Sequence, residues 1–389
     1  MTVNKISNPS GINTKLAHCG NNPADYFGFV NPPVVHASTV LFPDAATLKT
    51  ENQRYTYGTH GTPTTDALCE AVNMLEGAVK TVLVPSGLAA ITVPLLGTLA
   101  QGDHVLIADS IYSPTRRFAN NMLKKMGIDV EYYDPTIGAE IEQLMKPNTK
   151  VVYTESPGSN TFEIQDIPAI SAVAHARDAI VLMDNTWATP LNFKPLEHGV
   201  DISITAGTKY PVGHSDILIG FISANERTKK IVEDTHKFLG MSVSGDDAYN
   251  TLRSMRTMGI RLAHQSKTAF DLARWLETMP QIAQVLHPAL ESHKGHELWK
   301  RDFKGASALF SVVLKGGGEK EAHAFLNSLK IFKLGYSWGG YESLAVEVYL
   351  GDRTVKHSYM GSLLRLQIGL EDFEDLKADL EQALAATGL

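Results

Sequence analysis

Six short, unbroken apolar runs mark the middle of this chain, with turn residues at their ends and stretches of helical period between them. Residues 81–84 run into Pro85-Ser86-Gly87, residues 105–107 follow Gly102-Asp103, and residues 151–154 end at Glu155-Ser156-Pro157. Residues 179–183 end at Asp184-Asn185, residues 202–204 precede Ala206-Gly207-Thr208-Lys209, and residues 217–222 form the sixth run. Strands covered on both faces read as continuous apolar runs, because each face meets a layer of helices. The alternation with helical stretches at 66–76 and 169–176 predicts an α/β domain on a mainly parallel sheet, over residues 56–245.

The flanks read differently. Residues 1–55 are rich in Asn, Pro, Ser and Gly, with turn signals at Gly20-Asn21-Asn22-Pro23 and Asn31-Pro32-Pro33. A segment of that length is too long for an ordinary loop, and we expect an extended N-terminal arm that wraps another subunit or covers a cleft. Residues 246–389 read as a smaller α+β domain. Its expected elements are a long helix over 248–278, a strand at 308–314, a helix at 320–329, a strand at 363–368 and a terminal helix at 373–384.

Charge and composition narrow the partners. The 389 residues carry 35 Lys+Arg against 42 Asp+Glu, a net charge of -7 with no long basic run, which disfavours nucleic acid and anionic membranes. No apolar stretch is long enough to span a bilayer, and Met1 to Ser7 show no apolar leader core. Cys19 and Cys69 form no CxxC pair, so two free thiols in a reducing cytoplasm are expected.

In open α/β sheets, ligands bind beyond the carboxyl ends of the strands. Three features stand there. Ser86-Gly87 opens a helix, whose free N–H groups suit a phosphate, although neither GxGxxG nor GxxxxGK[ST] is present. Asp184 closes a very apolar run, where a carboxylate needs a cationic partner. Lys209 follows another, where desolvation lowers its pKa and makes the amine nucleophilic. Asp184 and Lys209 alone equally describe a buried ion pair. With the anion cradle they match what pyridoxal 5'-phosphate requires: a Schiff-base Lys, an Asp on the pyridinium nitrogen and a phosphate site. A serine hydrolase built from Ser86, Asp184 and His214 lacks the GxSxG elbow, and His214 with Asp216 gives only two ligands for a metal.

From about residue 14 to residue 386 the sequence resembles the Cys/Met-metabolism family of fold-type I pyridoxal-phosphate enzymes. The specific stretches are Glu155-Ser156-Pro157-Gly158-Ser159, Asp184-Asn185-Thr186-Trp187-Ala188, Thr208-Lys209-Tyr210 with Gly213-His214-Ser215-Asp216, and Arg365 with Ile368-Gly369-Leu370-Glu371. Lys294 to Phe303 and Tyr336-Ser337-Trp338-Gly339-Gly340-Tyr341-Glu342-Ser343 favour the β-lyase branch. The resemblance implies a fold-type I large domain. It makes Lys209 the cofactor-linked Lys and proton shuttle, Asp184 the pyridinium partner and Tyr112 the residue stacked on the ring and a catalytic group beside Lys209, the leaving thiolate being protonated by Lys209 or a nearby Tyr. Gly87 and Leu88 would give N–H groups to the phosphate, and Thr208 a hydroxyl. Arg365 would grip the substrate carboxylate, with Ser337 and Trp338 lining the same region. Tyr57 would cross from a neighbouring subunit to reach cofactor and substrate, which implies a dimer and, by family habit, a homotetramer.

The implied activity is α,β-elimination from L-cystathionine, giving L-homocysteine, pyruvate and ammonia in methionine biosynthesis. Alanine racemisation needs only reprotonation of the same carbanion and is the main alternative. γ-Lyase or γ-synthase chemistry is a further one. The γ-lyase form is weakened because Ser113 and Pro114 follow Tyr112 where methionine γ-lyases carry a Cys. One position departs from the family. Where Tyr-x-Arg is usual, this chain has Tyr57-Gly58-Thr59, leaving Thr59 at the phosphate position, with Arg54 and His60 nearby.

Overall fold

The apolar runs of the middle segment are neighbouring strands of one sheet. In this computed structural model, which describes residues 11–355, 359 and 361–389, they form β1 (Lys80–Val84), β2 (His104–Ala108), β4 (Thr149–Glu155), β5 (Ile180–Asp184) and β6 (Ile202–Thr205), with β3 (Asp129–Tyr133) and β7 (Gly220–Ala224) beside them. The order is β1-β7-β6-β5-β4-β2-β3. All neighbours are parallel except β7, which runs antiparallel to both β1 and β6. The leader reading at Met1 to Ser7 lies outside the described residues.

Period-two geometry explains why these strands lack polar alternation. Val82 and Val84 of β1 join one buried layer while Leu83 joins the other. Ile222 and Phe221 of β7 divide in the same way. One layer surrounds β2, β4 and β5; the other continues through Leu272 into a second sheet.

That second sheet contains β8 (Ile282–Leu286), β9 (Leu309–Leu314), β10 (Lys333–Leu334), β11 (Leu344–Val348) and β12 (Leu363–Gln367), in the order β10-β11-β12-β9-β8. Its pairs are antiparallel apart from β10 with β11. This is the mainly parallel large sheet and smaller second sheet expected of the fold class.

Two sequence expectations need correction. The long helix over 248–278 is two helices, Gly245–Met255 and Met258–Leu276. The Ser254 carbonyl at the break accepts the Arg261 guanidinium at 3.0 Å and the Thr257 N–H at 3.2 Å, which diverts it from the helical ladder. The sixth run becomes a strand only from Gly220, because the Ile219 backbone is occupied by Thr208.

The first 55 residues contain more regular structure than their composition suggests. Helix Ile12–His18 buries Leu16, and Ala45–Thr50 is capped by the Asp44 carboxylate. Phe27, Phe29 and Leu41 remain exposed. Cys19 and Cys69 are both free. Among the described residues no helix is long and apolar enough to cross a membrane, and no group of His, Cys, Asp and Glu is placed to hold a metal.

Candidate active site

The carboxyl ends of β1, β2, β4, β5 and β6 converge on a cavity of about 360 Å³. The second sheet contributes Arg365 to its wall, and the loop before β11 adds Ser337 and Trp338. Of the site residues read from sequence, Gly87, Leu88, Tyr112, Asp184, Thr208, Lys209, Ser337, Trp338 and Arg365 line the cavity, while Tyr57 and Thr59 do not.

At one end, helix Gly87–Thr98 begins. Its N-cap, Ser86, accepts the Ala89 N–H through its hydroxyl at 3.1 Å. The backbone N–H groups of Gly87 and Leu88 have no acceptor among the described residues. A methyl group at Gly87 would stand 2.6 Å from the Ala206 Cβ, so only glycine lets this turn lie against the loop after β6. The Thr208 hydroxyl is differently placed. It donates to the Ile219 carbonyl at 3.1 Å and accepts the Ile219 N–H at 2.9 Å, so its proton is already committed. Ser86, read from sequence as a turn residue and a discarded nucleophile, has its hydroxyl proton uncommitted among the described residues. The N-cap position was the signal for it.

Asp184 ends β5. The Thr186 hydroxyl and N–H both donate to its Oδ1, at 2.6 and 3.0 Å, while Oδ2 takes no hydrogen bond among the described residues. Burial pushes the Asp184 pKa up, against the Thr186 hydrogen bonds and the Lys209 charge. A cationic N–H facing Oδ2 would hold it ionised.

The Lys209 Nζ donates to the Ser337 Oγ at 2.7 Å and lies 5.1 Å from the Trp338 ring centroid. Burial, assisted by the Arg365 charge and opposed by Asp184, brings its pKa down to about 8. Ser337 holds a left-handed φ of 71°. At Gly339, a Cβ would meet the Lys209 backbone at 3.0 Å, so the loop is pressed directly on the lysine.

Arg365 occupies the centre of β12 between Leu364 and Leu366, which are both buried. The strand alternation turns its guanidinium into the cavity, where it donates to the Ser337 carbonyl at 3.0 Å and to the Asn160 side-chain oxygen at 3.4 Å. Burial lowers its pKa to about 10, and it stays charged at neutral pH. Tyr112 presents a partly exposed ring to the cavity, and its N–H donates to the Glu155 Oε2 at 2.7 Å. Burial, then the charges of Asp184 and Glu155, raise the phenol pKa. Glu155, Asn160 and Thr186 were not singled out from sequence as site residues. A carboxylate closing an apolar strand, the signal that identified Asp184, was equally available for Glu155.

Tyr57 lies on the surface, its hydroxyl accepting from Ser38 at 3.3 Å. Thr59 borders a smaller cavity with His60, Lys80 and His236. Both neighbours already have partners: Arg54 pairs with Asp66 at 2.9 Å through one guanidinium nitrogen, and the His60 Nδ1 sits 2.9 Å from the Thr56 hydroxyl. His214 lies outside the cavity with its Nδ1 on the Val212 carbonyl at 2.6 Å, so no Ser86-Asp184-His214 triad forms.

Two free N–H groups and a hydroxyl at a helix start, an acceptor oxygen facing inward, a lysine of lowered pKa and an aromatic ring match pyridoxal 5'-phosphate group by group. Comparison with known proteins agrees. A Rhizobium johnstonii relative is 61% identical over 382 residues, spanning 97% of this chain and 96% of its own. Escherichia coli cystathionine beta-lyase MetC is 42% identical over 387 residues, 96% of this chain and 98% of its own. Wolbachia pipientis L-alanine/L-glutamate racemase is 40% identical over 388 residues, 95% of this chain and 96% of its own. Among solved structures, metB from Corynebacterium glutamicum superimposes with a TM-score of 0.90 at 32% identity, covering 97% of this chain and 98% of that one. The family of Cys/Met metabolism PLP-dependent enzymes matches residues 13–385, nearly the whole chain, and the chain belongs to that family.

Proposed function

We propose that this chain is a carbon–sulfur lyase that eliminates across Cα and Cβ of L-cystathionine, giving L-homocysteine and, with water, pyruvate and ammonia, as a step in methionine biosynthesis. The observation that carries the reading is the placement of the Lys209 amine, of pKa about 8, within hydrogen-bond reach of Ser337 in a cavity shared with Arg365. Bound through Lys209, the cofactor supplies a ring that withdraws electrons from the substrate Cα.

The protein does the rest. Arg365 holds the α-carboxylate with its planar fork, which sets the substrate in one orientation. Asp184, its Oδ1 held by Thr186, would offer Oδ2 to the ring nitrogen and favour its protonated form. The free Lys209 amine would take the Cα proton and deliver a proton to the departing sulfur, and its lowered pKa suits both tasks near neutrality. Ser337 accepts from the amine and keeps it beside Trp338. Tyr112 covers the ring face. Gly87, Leu88 and Ser86 would hold the phosphate, and Thr208 shapes that end through Ile219.

We assign residues 1–55 to an arm, 56–245 to the cofactor-binding domain and 246–389 to the C-terminal domain, which the division of strands between two sheets supports. A homotetramer built of two active-site-sharing dimers is supported by the position of Tyr57 and Thr59 outside their own cavity and by the exposed Phe27, Phe29 and Leu41. The two unpaired cysteines support a cytoplasmic setting.

Racemisation of alanine at the same site is the second reading, favoured by the likeness to the Wolbachia racemase. It uses the same Cα proton and requires its return on the opposite face. Pyruvate release from L-cystathionine, measured beside D-alanine formation in one preparation, separates the two. The lyase reading expects the first to dominate; racemisation without pyruvate release would overturn it.

A further inference from the structure

Glu155 ends β4 and is paired in register with Asp184 at the end of β5. Two carboxylates therefore stand side by side at the floor of the same cavity. They are served unequally. Asp184 receives two donors from Thr186 on one oxygen, whereas the Glu155 side chain receives a single backbone N–H, from Tyr112 at 2.7 Å. Like charges on adjacent strand ends disfavour double ionisation, and the carboxylate with fewer donors keeps the proton. The charged or titratable groups facing Glu155 are Asp184, Glu163, Arg353 and the phenols of Tyr112 and Tyr153, and Arg353 is already bound to Glu163 at 3.0 Å and to the Ser159 carbonyl at 2.9 Å.

The Glu155 backbone is fixed as well, since its carbonyl accepts from Gln165 at 2.8 Å. Tyr112 is the residue before helix Ser113–Phe118, and the hydrogen bond to Glu155 anchors the point where its ring leaves the main chain.

We propose that Glu155 is a positioning residue for the cofactor site: in its neutral form it anchors the Tyr112 backbone, and through it the ring over the cofactor face, while leaving Asp184 as the charged partner of the ring nitrogen. The inference rests on the proposed reading of the cavity as a pyridoxal-phosphate site, yet not on which amino acid is turned over. A neutral acceptor can be replaced by an amide, so Glu155→Gln and Glu155→Leu should differ sharply.

Apo-protein of each variant is titrated with pyridoxal 5'-phosphate, the pH midpoint of the bound chromophore is recorded, and kcat and KM for L-cystathionine follow. Thermal unfolding checks the fold. Glu155→Gln should keep cofactor affinity and kcat within about threefold and leave the midpoint unmoved. Glu155→Leu should lose about tenfold in affinity, the effect of one unmade hydrogen bond, and lower kcat more than it raises KM. Equal damage in both variants with a displaced midpoint would mean that a charge is required and would overturn the proposal; so would wild-type behaviour of Glu155→Leu. Should Glu155→Leu not fold, a tenfold affinity loss in Glu155→Gln overturns it alone, and retained affinity with an unmoved midpoint supports it. Affinities in the expected order in a protein that releases no pyruvate would sink the lyase reading and leave the role of Glu155 standing.

Discussion

Asp109 and Thr354 join the two sheets: the carboxylate that follows β2 accepts the Thr354 N–H at 3.1 Å and its hydroxyl at 2.8 Å. The same carboxylate accepts from Val355 at 2.8 Å and from the buried Arg116 at 2.6 Å. Asp109 stands three residues before Tyr112, and Thr354 precedes the strand that bears Arg365. The contact thus links the loop that carries the ring face to the sheet that carries the carboxylate anchor.

Asp109→Ala should therefore destabilise the fold by about 1–3 kcal/mol, because the Thr354 and Val355 N–H groups lose their acceptor and the buried Arg116 keeps only the longer ion pair to Asp352 at 3.7 Å and the Tyr132 ring. Burial raises the Asp109 pKa, but Val355, Arg116 and Thr354 outweigh it and hold the group below the usual carboxylate value. Its contribution is complete above the unfolded carboxylate pKa of about 4 and fades as pH falls through the lower folded value. Urea unfolding across that acid range should show the wild-type and variant curves converging.

Lys209→Ala should abolish elimination, with a loss of at least about 10²–10⁴-fold from the general-base part alone. In apo-protein, the amine of pKa about 8 should capture pyridoxal 5'-phosphate at a rate that rises with pH through that value and then levels. Stopped-flow absorbance gives the profile; a rise delayed to the ordinary lysine range would show that the cavity does not lower this pKa.

Arg365→Lys should raise KM for amino-acid substrates more than it changes cofactor affinity. A lysine is a point charge and cannot fork a carboxylate. Steady-state kinetics beside a cofactor titration tests this, and selective loss of cofactor would move Arg365 away from the substrate.

Thr59→Arg should tighten cofactor binding by about 1.5–3 kcal/mol, the value of one charge-assisted hydrogen bond. Arg54 is held by Asp66 and His60 by Thr56, so an arginine at position 59 itself would add a contact that these two do not already make in the single chain. A more firmly held ring exposes the two faces of Cα less evenly, so the ratio of racemisation to elimination should fall. Unchanged affinity would mean that residue 59 does not reach the phosphate of a neighbouring copy.

The strands legible in the sequence were those covered on both faces. Asp129–Tyr133 and Ile282–Leu286 escaped because each is an edge strand with exposed or half-buried positions, which breaks the apolar run. Asp184 and Lys209 stood out because a charge directly after an apolar strand is costly and demands a reason. Ser337 and Trp338 carry no such contrast and came only through the resemblance; the left-handed turn that brings Ser337 to Lys209 follows no local rule. Tyr57 and Thr59 mark the limit of any single chain, since nothing within it brings them to the cavity.

The antiparallel strand β7 also dictates an order of assembly. β1 hydrogen-bonds to the rest of its sheet only through β7, so the first strand of the domain joins the sheet only once residues 220–224 are in place. Closure over so long a stretch of chain is slow relative to local contacts. The Ser86–Gly87 turn is carried into place at that closure, whereas Asp184 sits on β5, which pairs with β4 and β6 without β1. The phosphate cradle therefore depends on a strand that the sheet holds through a single neighbour, so whatever loosens β7 loosens the seat of the cofactor before it disturbs Asp184.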